Sequence, residues 1–120
     1  VPTDGQWMIL EIQLGMSEEE ANQQYHRGTD QGDQLKNSNS DIPNWDGTNT
    51  SGFSAVPGGY LYNSFDQLGD MALFYTASTL SELGQSLIWA RQLSSGYSDI
   101  WRNNYGLDWG MSVRCIKDSE

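Results

Sequence analysis

An α+β fold, with short helices first and an antiparallel sheet after them, is predicted by two observations. The first third of the chain carries two helix-start signatures, and from Gly52 onward the apolar pattern changes to period two. Thr3-Asp4-Gly5-Gln6 fits a capping box, in which the Thr3 hydroxyl and the Gln6 amide satisfy orphaned backbone donors. Trp7, Leu10 and Leu14 recur at helical spacing, and Gly15 is a natural stop. A second box follows at Ser17-Glu18-Glu19-Glu20, whose acidic residues suit the positive end of a helix. Three adjacent glutamates point in different directions around a helix, so they read as a solvated helix start rather than a metal site. Arg27-Gly28-Thr29-Asp30 reads as a turn into a third short helix around Gln31 to Lys36.

The stretch from Asn37 to Thr50, rich in Asn, Asp, Ser, Gly and Thr around a single Trp45, is a long loop. Asp41, Asp46 and nearby Asn side chains are oxygen ligands of the kind calcium takes, but their spacing is not that of an EF-hand, and no metal site is expected. Asn49-Thr50-Ser51 is a formal glycosylation sequon. Strands are expected at Gly52 to Val56, Tyr60 to Tyr62, Leu73 to Ala77, Leu87 to Leu93, Ser98 to Trp101 and Gly110 to Ile116. Ser94-Ser95-Gly96 and Asn103-Asn104-Tyr105-Gly106 read as tight turns between them. No internal repeat or linker interrupts the chain, so residues 1–120 are expected to form one domain.

Composition narrows the function. Sixteen acidic residues against six basic ones leave a net charge of -10. Such a field repels the phosphate backbone and anionic membrane surfaces, and no basic cluster offsets it locally. The longest apolar runs are far too short to span a bilayer. No signal peptide opens the chain, which suits a cleaved product or a piece of a longer protein. The lone Cys115 is expected in the core, on one strand face with Met111 and Val113.

No catalytic constellation is evident. His26 has no Ser or Cys partner nearby in sequence, Cys115 sits in an alternating apolar setting, and no phosphate loop, zinc set or nucleophile elbow occurs. No cofactor is expected, and the chain is not expected to be an enzyme. The aromatics are more informative. Tyr97, Trp101, Tyr105 and Trp109 are interleaved with Asn103 and Asn104 near the last turns. Flat rings beside amides suit sugar binding, the ring stacking on the apolar face of a pyranose while the amides pair with its hydroxyls. Trp101 and Trp109 also have the plainer reading of core residues, whereas Tyr97, Tyr105, Asn103 and Asn104 are expected to be exposed.

Several segments in order carry a family resemblance. They are Val1-Pro2-Thr3-Asp4 with Trp7, Leu14-Gly15-Met16-Ser17 with Glu20-Ala21, and Arg27-Gly28-Thr29-Asp30-Gln31-Gly32 with Leu35-Lys36. Then come Thr50-Ser51-Gly52-Phe53-Ser54-Ala55 running into Pro57-Gly58-Gly59-Tyr60, Trp89-Ala90-Arg91, Leu93 and Arg102. Gly110 and Ser112-Val113-Arg114-Cys115-Ile116-Lys117-Asp118 close the set. The chain thereby resembles the Fibrobacter succinogenes major paralogous domain over nearly its whole length. Departures are mild: Leu73-Phe74-Tyr75-Thr76-Ala77-Ser78 stands where that family has a Trp-rich strand, and Met111 stands where it has Phe.

The resemblance implies a secreted or lipid-anchored bacterial surface protein and a relation to the C-type-lectin-like fold, in its formylglycine-generating-enzyme branch. That enzyme's paired cysteines have no counterpart here, so its activity is not implied. The Glu-Pro-Asn and Trp-Asn-Asp motifs of calcium-dependent lectins are absent too. Members of the wider fold that are diversified by retroelements vary near the C-terminal hairpins, which directs attention to Tyr97 through Trp109. The family also implies further sequence before Val1, including a strand that would pair with the C-terminal one. Two functions are therefore expected: an extracellular module binding glycan or protein through its C-terminal hairpin loops, or a structural subunit that self-assembles through a sheet edge.

Overall fold

The computed structural model describes residues 1–118 and is an α+β structure. Helix α1 spans Asp4–Gln13 and α2 spans Glu18–Ala21, each opened by its expected capping box at Thr3/Gln6 and Ser17/Glu20. A short strand β1 (Tyr25–Arg27) precedes helix α3 (Gln31–Leu35). After a long irregular stretch come β2 (Tyr60–Tyr62) and β3 (Ser64–Asp66), paired with each other. Then follow β4 (Met71–Glu82), β5 (Gln85–Ser94) and β6 (Ile100–Gly106). The main sheet is antiparallel, in the order β1-β6-β5-β4. Among the described residues no helix is long and apolar enough to cross a membrane.

One face of this sheet is closed by α1. Trp7 packs its ring 5.6 Å from Phe53 and 5.9 Å from Phe74, and Leu35, Ala72, Leu93 and Ile100 complete the centre of the core. Fully burying one such leucine contributes roughly 1.5–3 kcal/mol. The inward stripe of α1 is not the expected apolar one. Its buried residues are Asp4, Trp7 and Glu11, whereas Leu10 and Leu14 are half-buried. The two carboxylates meet three arginines from the strands. Arg91 donates to Asp4 Oδ1 at 2.6 Å and to Glu11 Oε2 at 3.0 Å, Arg27 to Glu11 Oε1 at 2.7 Å, and Arg102 to Asp4 Oδ2 at 2.7 Å. Charges taken out of water persist only when paired and hydrogen-bonded in this way.

Several sequence expectations are corrected. Gly52 to Val56 forms no strand; its one ladder contact is a single parallel bridge from Ala55 to Lys36. Gly110 to Ile116 forms two isolated bridges, Gly110 to Leu61 and Ser112 to Phe74, instead of a strand. Residues 103–106 are not a turn but the second half of β6, because that strand pairs with β5 as far as Gly106 opposite Leu87. Cys115 is exposed rather than in the core, and Val113 beside it is 56% exposed. The alternation there is real in sequence, but no neighbouring strand covers it. Along β4 the C-terminal segment and Pro2 do cover the edge as far as Ala77, through Ser112 N–H to the Leu73 carbonyl and Ala77 N–H to the Pro2 carbonyl.

Candidate functional site

The sheet face turned away from α1 carries a continuous run of aromatic rings. Side chains two apart on a strand share a face, so Trp101, Asn103 and Tyr105 of β6 stand together. Antiparallel pairing sets His26 of β1 beside Trp101, and Gln92 of β5 on Trp101's other flank. The His26 imidazole meets the Trp101 ring edge-on at 4.8 Å and stacks on Tyr97 at 4.9 Å with planes 13° apart. The Tyr25 ring lies tilted 5.2 Å from Trp101, on a residue whose backbone φ of 71° few non-glycine residues adopt.

The run continues along β6. Trp101 Nε1–H donates to the Tyr105 hydroxyl at 3.0 Å, and that hydroxyl donates to Gln92 Oε1 at 3.3 Å. Burial pushes the Tyr105 phenol above its usual value, so it stays a neutral donor. The Tyr105 ring lies 4.8 Å from Trp109, which stacks on Tyr62 at 4.5 Å and touches Tyr60 at 5.1 Å. Tyr75 holds Trp109 in place by donating its hydroxyl to the Trp109 carbonyl. Tyr25 and Tyr97 are each more than half exposed and Tyr62 is 41% exposed, while Trp101, Tyr105 and Trp109 are half-buried beneath them. Asn103 adds an amide, which Gln24 Nε2 orients from 2.9 Å.

Of the six residues singled out in the sequence, five therefore share this face: Tyr97, Trp101, Asn103, Tyr105 and Trp109. Asn104 does not join them. It lies opposite Trp89 on the helix-side face, where the Arg102 guanidinium stands 4.0 Å over the Trp89 ring. Trp101 and Tyr105 stand on the strand face of β6, Tyr97 on the β5–β6 turn and Trp109 just after β6. Sequence reasoning missed His26, Tyr25, Gln24, Gln92, Tyr60 and Tyr62. These come from three other segments, which pairing of β1 and β5 with β6 and the Leu61–Gly110 bridge bring together. The positive φ at Tyr25 is a backbone feature with no sequence signature.

A buried lysine fixes the end of the run where Tyr97 stands. The Lys36 ammonium is enclosed by Asp46 Oδ1 at 2.7 Å, Asp33 Oδ1 at 3.2 Å, and the carbonyls of Ser94 at 3.0 Å and Tyr97 at 2.9 Å. Asp46, considered above as a calcium ligand, thus binds a side-chain cation. Its other oxygen accepts the Gly96 N–H at 2.7 Å. Burial pulls the Asp46 carboxyl upward, but the Gly96 N–H and Lys36 outweigh it and hold the group below its ordinary value. Asp41 is occupied likewise, accepting the Ser38 N–H at 2.7 Å and the Asn49 amide at 3.1 Å. Asn49 also donates to Ser54 Oγ at 3.0 Å, so its sequon amide is engaged within the loop. A Cβ on Gly47 would come within 2.5 Å of the Lys36 carbonyl, so glycine is what lets the loop lie on the lysine.

Chemically the face is mostly uncharged and amphipathic. Among the described residues its one ion-pair geometry is His26 Nδ1 to Asp99 at 3.1 Å, which orients the imidazole between Tyr97 and Trp101. Among the described residues no group of three or more His, Cys, Asp or Glu side chains is arranged to hold a metal ion. A family model described as the Fibrobacter succinogenes major domain matches residues 1–117. Neither a curated protein nor a solved structure matches the chain.

Proposed function

This chain belongs to the Fibrobacter succinogenes major domain family, and we propose that it is a non-catalytic module, displayed outside the bacterial cell, that binds neutral glycan on its aromatic sheet face. The observation that carries this reading is the unbroken run Tyr97–His26–Trp101–Tyr105–Trp109–Tyr62, with exposed rings at both ends and amides between them. A pyranose offers an apolar face for a ring and equatorial hydroxyls for amides, which is the chemistry Tyr25, Tyr97, Tyr62 and Asn103 present. Uncharged side chains dominate the face of a chain with net charge -10, and that favours an uncharged ligand over a phosphorylated or sulfated one. Trp101 and Tyr105 lie four residues apart, about 13 Å along the strand, so an extended oligosaccharide fits the run better than a monosaccharide. A C-type-lectin-like architecture is part of the same proposal, supported by the long irregular connection between α3 and β2 beside an antiparallel sheet.

The test is a neutral-glycan array followed by calorimetry on the best hit. Tyr97→Ala and Tyr25→Ala are each expected to weaken binding about tenfold, since one well-packed aromatic anchor is worth roughly 1–2 kcal/mol. Asn104→Ala, on the opposite face, is expected to leave affinity unchanged. Failure to bind any neutral glycan, or binding indifferent to both tyrosines, would refute the proposal.

A further inference from the structure

The outer side of α1 and the C-terminal segment enclose an apolar cleft of about 330 Å³, lined by Ile9, Leu10, Phe53, Cys115, Ile116 and Arg114 among others. Arg114 rests its guanidinium 4.3 Å over the Phe53 ring and, among the described residues, makes no ion pair. It stands out in a chain so short of cations. Of the six Lys and Arg residues, Arg27, Lys36, Arg91 and Arg102 are paired with carboxylates, which leaves Arg114 and Lys117. Both lie in the segment that walls this cleft.

At another point of the surface the β4–β5 hairpin outruns its neighbours. β6 accompanies β5 only from Leu87, so the end of the hairpin, from Ser81 opposite Ser86 to Glu82 opposite Gln85, is a bare two-stranded ribbon. Its turn is Leu83-Gly84, with φ of 51° and 77°, a type I′ geometry that favours Asn or Gly at the first position. Leucine is strained there, and its side chain is 98% exposed. A non-glycine residue held in the left-handed region at a cost in backbone strain motivates a functional hypothesis for this tip. Exposed Glu82 stands immediately before it.

We propose that this hairpin tip docks into the α1–C-terminal cleft of a second copy of the chain, with Leu83 entering the apolar cleft and Glu82 pairing with Arg114. Two complementarities favour that occupant: a leucine for an apolar cleft, and a carboxylate for an arginine that makes no ion pair among the described residues of a molecule of opposite net charge. The contact is intermolecular. Ala77 of β4 is hydrogen-bonded to Pro2 at the cleft wall, and the six residues from there to Leu83 carry the tip about 20 Å away from its own cleft. A single hairpin tip buries less than the area of a standard interface, so association is weak and is read at high protein concentration.

Sedimentation velocity over a dilution series up to about 1 mM tests this, with alkylation of Cys115 as a local reporter of cleft occupancy. The wild-type chain is expected to self-associate and to shield Cys115 as concentration rises. Leu83→Asn, which suits the turn, and Arg114→Glu are each expected to weaken association at least tenfold without lowering the melting temperature. Glu82→Arg combined with Arg114→Glu is expected to restore it. A wild-type chain that stays monomeric throughout would overturn the proposal. So would association that survives both single variants, a charge reversal that rescues nothing, or a cleft that takes up a free medium-chain carboxylate such as decanoate while the protein stays monomeric.

Discussion

Asp4 carries more of the structure than its place in a capping signature suggests. Its carboxylate receives two guanidinium groups, Arg91 Nη1 and Arg102 Nη2, while its own N–H is capped by Ser78 Oγ at 2.9 Å. Burial pulls its carboxyl upward, but the hydrogen bonds and charges of Arg102 and Arg91 prevail and hold it below the ordinary value. A carboxyl whose folded value lies below its unfolded value of about 3.9 contributes stability that is fully present above that pH. That contribution is lost as pH falls through the folded value. Chemical denaturation followed from pH 6 down to pH 2 is therefore expected to show stability falling below about pH 4, and Asp4→Asn to flatten that decline. An Asp4→Asn curve parallel to wild type would show that this carboxylate carries no linkage. The residue types of this network were visible in the sequence. Their meeting was not, because Asp4 and Arg102 are brought together across nearly the whole chain by the docking of α1 on the sheet.

At the scale of elements, capping chemistry was the most legible signal, because each box closes on itself within four residues. Thr3 accepts the Gln6 N–H and Ser17 the Glu20 N–H, as the spacing requires. Strand ends were the least legible. Nothing local distinguishes Asn103-Asn104-Tyr105-Gly106 from a turn; the pairing of Tyr105 with Ile88 makes it strand. The β4–β5 hairpin was missed for the opposite reason, since Leu83-Gly84 lacks the Asn or Asp that marks a type I′ turn. An L residue in the left-handed region costs roughly 1–2 kcal/mol, part of which Asn recovers. Leu83→Asn is therefore expected to raise the melting temperature of the monomer by a few degrees in differential scanning calorimetry. An unchanged or lower value would mean that the turn is not strained.

For the whole molecule, the buried Lys36 is the point where separate parts are held in one arrangement. It joins α3, the long loop through Asp46, the end of β5 through the Ser94 carbonyl and the β5–β6 turn through the Tyr97 carbonyl. Lys36→Met keeps the apolar stem but removes the donor from two carbonyls and the counter-charge from Asp33 and Asp46. Hydrogen exchange is expected to quicken together at residues 45–49 and 95–98, while the centres of β4 and β5 stay protected. Quickening confined to one of those segments would show that the lysine does not couple them. Because Tyr97 sits on this turn, the same variant is expected to weaken any ligand held on the aromatic face.

Local chemistry in the chain was sufficient for the helix starts, the α+β class, the long loop and the aromatic character of its last third, but not for β1, which stands between α2 and α3. These depend on contacts a few residues apart or on composition, and both can be read along a single strand of text. The tertiary structure alone decided that Asp4 and Glu11 face inward, that Cys115 lies outside, that Asn104 turns away from its neighbours, and that His26 and Tyr25 complete the aromatic run. Each of these depends on which segment lies across from which, and a one-residue change of pairing moves a side chain to the other face of a sheet.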